Sequence, residues 1–298
     1  MERKRSMTNK EQSAEAVSKV VNIFRCPICH QSMKVVALKS LICPNKHTFD
    51  FAKHGYINML TRPSNQQYDK KLFEARQKII MESNLYSSLH EKISEIIRKH
   101  FGLSHCSTII LDAGCGEGSH LQKVVDKCRN EAITGIGLDI AKEGIIMASK
   151  HYQNPIWLVG DLANIPLTNQ TCHVVLNMLS PANYMEFKRV LAPGGIIVKI
   201  VPRPNYLKEL REMLFTNRNK KTYTNDETIS LFKQHFHLAE RFKFSYFKEL
   251  NQTEFINLIR MSPLAWNAGK EQIDSFINRG SAGISVDLDI LIGVNKQS

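Results

Sequence analysis

No apolar run in this chain approaches the roughly 18–20 residues that a membrane-spanning helix requires, which excludes a helical membrane protein. A secretory leader is not expected either. The first 21 residues, "MERKRSMTNKEQSAEAVSKVV", are basic and have no apolar stretch, so residues 1–22 read as a polar extension, frayed or loosely helical. A cytoplasmic protein is expected by default. Acidic residues are scarce: 28 Asp and Glu face 40 Lys and Arg, for a formal charge of +12. The seven cysteines are odd in number and unevenly spread, which argues against a disulfide framework and for thiols or metal ligands. What is present, 43% hydrophobic and 23% charged residues over 298 positions, suffices for one large or two modest soluble domains with a real core.

The positive charge is concentrated early. Residues 1–100 hold 18 Lys and Arg against 9 Asp and Glu, which leaves the rest of the chain at only +3. A basic first third suits a polyanion such as RNA or DNA, although charge kept for solubility produces the same balance. Within that third, Cys26-Pro-Ile-Cys29 is a C-x2-C knuckle. After thirteen intervening residues, Cys43-Pro-Asn-Lys-His47 offers a C-x3-H pair. Two tight turns with two ligands each can close a tetrahedron around zinc. Thiolates and imidazole suit that ion, and no position is left for water, which describes a structural metal rather than a catalytic one. His30 and His54 fall outside the pattern, with His30 a rival ligand. The intervening "HQSMKVVALKSLI" alternates as a small hairpin would. Residues 23–62 cannot fold as a unit on hydrophobic burial alone, and zinc binding would supply the missing free energy.

Residues 63–104 read as a helical linker. Leu72, Ala75, Ile79 and Ile80 recur at helical spacing from Lys70, and Leu89, Ile93, Ile96 and Ile97 mark a second helix over about Leu85 to His100. Arg76 and its neighbouring lysines form either a solvated face or a phosphate-contacting one. Tyr86 sits at the break between the helices, where an aromatic ring can overhang a pocket.

The most informative stretch follows, in residues 105–298. "STIILDAGCGEGSHLQKVV" is a short β-branched strand, a turn with Asp112, Gly114, Gly116 and Gly118, and a helix from Ser119. Glycines at alternate positions let the backbone turn tightly and approach a ligand, and the helix start offers free N–H groups. A dinucleotide fold would place glycine or alanine at 119, where this chain has Ser119. Asp139 ends a second strand 21 residues after Gly118, where a carboxylate can accept from ribose hydroxyls. Asp161 follows a third strand and can accept from an adenine amino group, with the backbone at Leu162 completing that contact. Asn177 ends a fourth strand and falls, with Asp112, Asp139 and Asp161, where the cofactor would bind beyond the strands' carboxyl ends, and "FKRVLAPGGIIVKIVP" supplies a helix, a turn and a fifth strand. Cys115, inside the glycine loop, reads as a small filler with a reactive thiol as the alternative. Near the end, "FHLAERFKFSYFKEL" and "GISVDLDILIGV" form a closing antiparallel pair, Tyr206 borders the donor pocket or packs on the surface, and Trp266 either stacks a base or fills the core.

The G-x-G-x-G spacing after an acidic residue resembles motif I of the class I S-adenosylmethionine-dependent methyltransferases. These have a Rossmann-like, seven-stranded α/β sheet, expected here with a small N-terminal zinc-binding module. Combined with zinc ligands, "HTFDFAKHGYIN" (His47 to Asn58), Ala75-Arg76, "LAPGG" and "MSPLAW", the chain resembles the bacterial 23S rRNA (guanine-N1)-methyltransferases, the family that includes a tylosin-resistance enzyme. The likeness runs from about Phe24 to the end. It implies structural zinc at Cys26, Cys29, Cys43 and His47, and donor contacts at Tyr86, His120, Leu121 and Tyr206. It also implies a homodimer whose zinc modules grip an RNA hairpin. The segment "NMLSPANYMEFKRV" departs from the Ala-Pro-Cys of some members.

The expected activity is methyl transfer from S-adenosylmethionine to N1 of a guanine in a hairpin loop of 23S rRNA. The proton acceptor is unassigned, with Asn177 and the backbone around Ser180-Pro181 as candidates. Rival readings are a methyltransferase for another RNA, a protein or a small molecule, and a non-catalytic zinc-bearing RNA-binding protein on the same scaffold.

Overall fold

The computed structural model describes residues 7–63, 69–102, 107–130, 132–214, 224–262, 264 and 281–295. In chain order the elements are α1 (Asn9–Lys19), β1 (Lys34–Val36), β2 (Ser40–Ile42), β3 (Thr48–Asp50), β4 (Ile57–Asn58), α2 (Lys70–Met81), α3 (Ser87–Phe101), β5 (Thr108–Ala113), α4 (Ser119–Cys128) and β6 (Ile133–Asp139). Then come α5 (Lys142–His151), β7 (Ile156–Val159), β8 (Cys172–Met178), α6 (Tyr184–Val190), β9 (Leu191–Pro202), α7 (Lys208–Leu214), α8 (Asp226–His235), β10 (Phe236–Asn251), α9 (Gln252–Met261) and β11 (Ser281–Asn295).

Strands β1, β2 and β3 make a small antiparallel sheet around the cysteine knuckles. The large sheet runs β10-β11-β9-β8-β5-β6-β7-β4. All of its pairings are parallel except those of β11, which lies antiparallel between β9 and β10. Seven of these strands reproduce the class I methyltransferase order. The eighth, β4, belongs to the C-terminal part of the zinc module and pairs with β7 at the sheet edge, so the two expected modules share one sheet.

β5 is central and buried along its whole length, as a β-branched run with helices on both faces should be. Its side chains alternate between two cores. Ile110 joins Ile79, Leu89, Leu121 and Trp157 beneath the helices. Ile109, Leu111 and Ala113 join Phe24, Cys26, Cys43 and Phe51, so the zinc module packs directly on the other face of the sheet. Strand order reverses between β5 and its two neighbours, β6 and β8. The crevice above their carboxyl ends is where open α/β sheets bind ligands.

The segment expected as a loose polar extension is instead structured from Thr8 onward. Thr8 and Glu11 form a reciprocal capping box at the start of α1. Ala14 and Val17 are fully buried, and Ser13 Oγ donates to Gly55 O at 2.5 Å. The two apolar residues lie three apart, one helical turn, among polar ones, a narrow stripe that composition conceals. Among the described residues, no helix is long and apolar enough to cross a membrane.

Candidate functional site

The donor atoms of Cys26, Cys29, Cys43 and His47 lie within 4.8 Å of one another. Cys29 Sγ is 3.6 Å from Cys43 Sγ, and His47 Nδ1 is 3.5 and 3.4 Å from the sulfurs of Cys26 and Cys43. A zinc tetrahedron with ordinary bond lengths has S–S edges of about 3.8 Å and S–N edges of about 3.5 Å, so this set fits the ion. Each knuckle is a tight turn: His30 N donates to Cys26 O at 2.8 Å, and Lys46 N to Cys43 O at 2.9 Å. His30 is exposed and takes no part in the converging set.

The glycine loop leaves β5 at Asp112. Gly114, Gly116 and Gly118 all have positive φ, at 83°, 60° and 80°. A Cβ at Gly114 would stand 2.7 Å from Ser180 Oγ, and one at Gly118 2.3 Å from the Trp157 ring, so the loop needs glycine for both space and conformation. Gly116 N donates to Asp139 Oδ2 at 2.7 Å, and Ala141 N to Oδ1 at 2.8 Å. Asp139 is thereby fixed at the end of β6. At the other side of the loop, the first-turn N–H groups of α4, including those of His120 and Leu121, have no intrahelical partner.

Asp112 is 1% exposed, and neither carboxylate oxygen has a hydrogen-bond partner. Burial pushes its pKa up to about 7, against the opposing pull of Arg76. Such an orphaned carboxylate beside a glycine cradle suits a cationic ligand. The α-ammonium and sulfonium of S-adenosylmethionine meet that requirement. Arg76, on α2, reaches over Gly116, and its Nε lies 2.6 Å from the fully buried Glu117 carboxylate.

An aromatic wall completes this side. Tyr86 Oη and Tyr206 Oη are 2.7 Å apart. The Tyr86 ring meets His120 edge-on with centroids at 5.2 Å, and His120 Nδ1 is 2.8 Å from His90 Nε2. Burial lowers the pKa of both imidazoles, His90 to about 3, so both are neutral at physiological pH.

Asp161 and Leu162 stand beyond β7. Asp161 is exposed, and its Oδ1 accepts from Ala163 N at 2.8 Å. The same loop is fastened to the first zinc knuckle: Asn164 Nδ2 donates to Pro27 O at 2.7 Å, and Arg25 Nη2 to Asn164 Oδ1 at 3.2 Å. Beside Asp139, a cavity of about 550 Å³ opens between Ile140, Val159 and the segment from Asn58 to Arg62.

Residues 24–67 match a zinc-ribbon family model described as RlmA, N-terminal, and residues 110–195 match a methyltransferase domain model. YxjB of Bacillus subtilis (strain 168), provisionally named a 23S rRNA (guanine-N(1)-)-methyltransferase, is 41% identical over 275 residues, covering 92% of this chain and 97% of that protein. The chain belongs to the 23S rRNA (guanine-N1)-methyltransferase family. The 23S rRNA (guanine(748)-N(1))-methyltransferase of Streptomyces fradiae is a more distant relative, 26% identical over 85% of this chain and 89% of its own length. A family member of this kind uses S-adenosylmethionine and a structural zinc ion, and the two residue sets above fit those groups.

Within the methyltransferase fold, Asp112, the three glycines, Asp139, His120, Tyr86 and Tyr206 gather around the glycine loop. The Leu121 side chain is fully buried in the core, which leaves only its backbone to face a ligand. Asn177, expected as a donor contact and a candidate proton acceptor, lies near the carboxyl end of β8. It is 0% exposed, its Nδ2 faces the carbonyls of Ala113 and Pro181 at 2.9 Å each, and its Oδ1 accepts from Lys199. A side chain so engaged holds the loop after β8 in place. Cys115 is 1% exposed, and burial raises its thiol pKa well above the ordinary range, which fits a filler and not a nucleophile. Trp266 lies outside the described residues.

Glu117, His90 and Lys199 carry roles that the sequence reading does not assign. For Lys199 a signal existed: a lone charge inside the apolar run "IIVKIV". His90 and Glu117 carry no such signal, because their neighbours come from distant segments.

Proposed function

We propose that this protein transfers a methyl group from S-adenosylmethionine to N1 of a guanine in a hairpin loop of 23S rRNA, acting in the cytoplasm as a homodimer. The observation that carries the reading is the orphaned Asp112 carboxylate beside the three-glycine loop, on a chain that bears a zinc knuckle set and shares 41% identity with YxjB over nearly its full length.

When bound, S-adenosylmethionine supplies an electrophilic methyl carbon on a good leaving group, so the protein's contribution is chiefly position and exclusion of water. Asp112 faces the cationic amino-acid end. Asp139 accepts from the ribose hydroxyls, and the loop at Asp161 and Leu162 receives the adenine edge. His120, Tyr86 and Tyr206 wall the methionine side. Neutral imidazoles there avoid adding positive charge beside a sulfonium.

Guanine N1 carries a proton at neutral pH, and that proton must leave as the new bond forms. The target base must also leave its stack, which is easier from a hairpin loop than from a duplex. The crevice beyond β8, bounded by Ser180 and Pro181, is where such a base would enter. The basic residues of the zinc module, Lys34, Lys39, Lys46 and Lys53, are all exposed and suit the phosphate backbone. Residues 23–62 and 105–298 are accordingly read as recognition and transfer parts of one enzyme, with 63–104 walling the donor site. Mass mapping of 23S rRNA from a strain lacking the gene should reveal one guanine without its N1 methyl group. An unchanged modification pattern would refute the substrate.

A further inference from the structure

Lys199 is 4% exposed in the middle of β9. Among the described residues, no carboxylate lies within ion-pair distance of it. An ammonium group without a counter-charge is costly to bury, and burial draws its pKa down to about 8. A methionine of similar length would fill the same space without that cost, so what Lys199 touches is informative.

Lys199 and Asn177 are register partners on the parallel strands β8 and β9. The ammonium donates to Asn177 Oδ1 and, at 3.4 Å, to Ser180 O. Asn177 Nδ2 in turn lies 2.9 Å from Ala113 O, 2.6 Å from Ser180 Oγ and 2.9 Å from Pro181 O. Ser180 Oγ donates to Ala113 O at 2.9 Å. Ala113 immediately precedes Gly114, whose missing Cβ makes room for Ser180. Lys199 Nζ also sits 5.9 Å from the centre of the Tyr184 ring, at the first turn of α6. One buried cation therefore joins β9, β8, the turn after β8 and the glycine loop.

We infer that Lys199 is a positioning residue for the target base: through Asn177 and Ser180 it sets the turn at Ser180-Pro181 against the glycine loop, and so sets the approach of the base to the methyl donor. This rests on the methyl-transfer reading above. A hydrogen-bonded chain of this kind is sensitive to small shifts, and misplacement by about 1 Å can reduce turnover on the order of a hundredfold.

The experiment compares wild-type protein with Lys199→Met and Lys199→Gln, using a 23S rRNA hairpin fragment and S-adenosylmethionine. Lys199→Met should lower kcat by about tenfold or more, with the KM for RNA and the Kd for S-adenosylmethionine each within about twofold. Lys199→Gln, which keeps a donor toward Asn177, should recover part of the lost kcat. An unchanged kcat in Lys199→Met would overturn the inference, as would a parallel loss of kcat and donor affinity in both variants, which marks general disruption. Wild-type protein that leaves guanine N1 unmodified would refute the functional reading instead, and the two failures are therefore distinguishable.

Discussion

Asp112→Asn should stabilise the ligand-free protein and impair its function, and the size of the first effect follows from burial. The carboxyl group is 1% exposed and unpartnered, with its pKa pushed to about 7 from an ordinary 3.8. Well below its ordinary pKa of 3.8 it is protonated in both folded and unfolded chains and contributes little to any pH dependence. Between about pH 4 and 7 the unfolded chain ionises while the folded one retains its proton, so stability falls as pH rises. Above that window the full penalty is present, roughly 4 kcal/mol at 1.36 kcal/mol per pK unit. An amide carries no charge and escapes the penalty. The advantage of Asp112→Asn over wild type should therefore grow by about 2 kcal/mol between pH 5.5 and pH 8. Urea unfolding of both proteins at the two pH values, without ligand, measures this. Titration calorimetry should show weaker binding of S-adenosylmethionine to the variant, by roughly tenfold or more, as expected for loss of a charge-assisted contact. An advantage that does not grow with pH, or a variant less stable than wild type at pH 8, would refute the reasoning.

Gly114→Ala combines a φ of 83° with a 2.7 Å approach to Ser180 Oγ, and should lower stability by about 1–3 kcal/mol and abolish measurable donor binding, read by thermal melting and calorimetry. Asn164→Ala removes the link from Pro27 to the loop proposed to receive the adenine edge, and should weaken donor affinity several-fold while zinc content, measured by atomic absorption, stays at one per chain. Chelation of zinc should lower both the melting temperature and donor affinity, because Cys26 and Cys43 lie in the same core as Leu111 and Leu138. Intact donor binding after full zinc removal would show that the knuckles and the donor site are independent.

Much of the candidate donor site was legible because its signals are local. The glycine loop needs small residues in a fixed run, and Asp112 and Asp139 end strands whose apolar character is plain. The zinc ligands were legible for the same reason, since two knuckles announce themselves by spacing. The helices α2 and α3 followed from periodicity, and the last strands from alternation. What remained hidden depends on packing between distant segments. The polar start of the chain concealed that its helix docks on the fold through Ala14 and Val17. The joining of the zinc module to the main sheet rests on a two-residue strand, Ile57–Asn58, too short to carry a pattern of its own. Asn177 sat at the expected place, yet its engagement with Lys199 and Ala113 depends on strand register, which no local pattern specifies.

The central claim, methyl transfer to guanine N1, is tested most directly by incubating the purified, zinc-loaded protein with labelled S-adenosylmethionine and a 23S rRNA hairpin fragment, then digesting the RNA to nucleosides for mass spectrometry. Label confined to 1-methylguanosine is the predicted result. Label in any other nucleoside, or none despite donor binding, would contradict it.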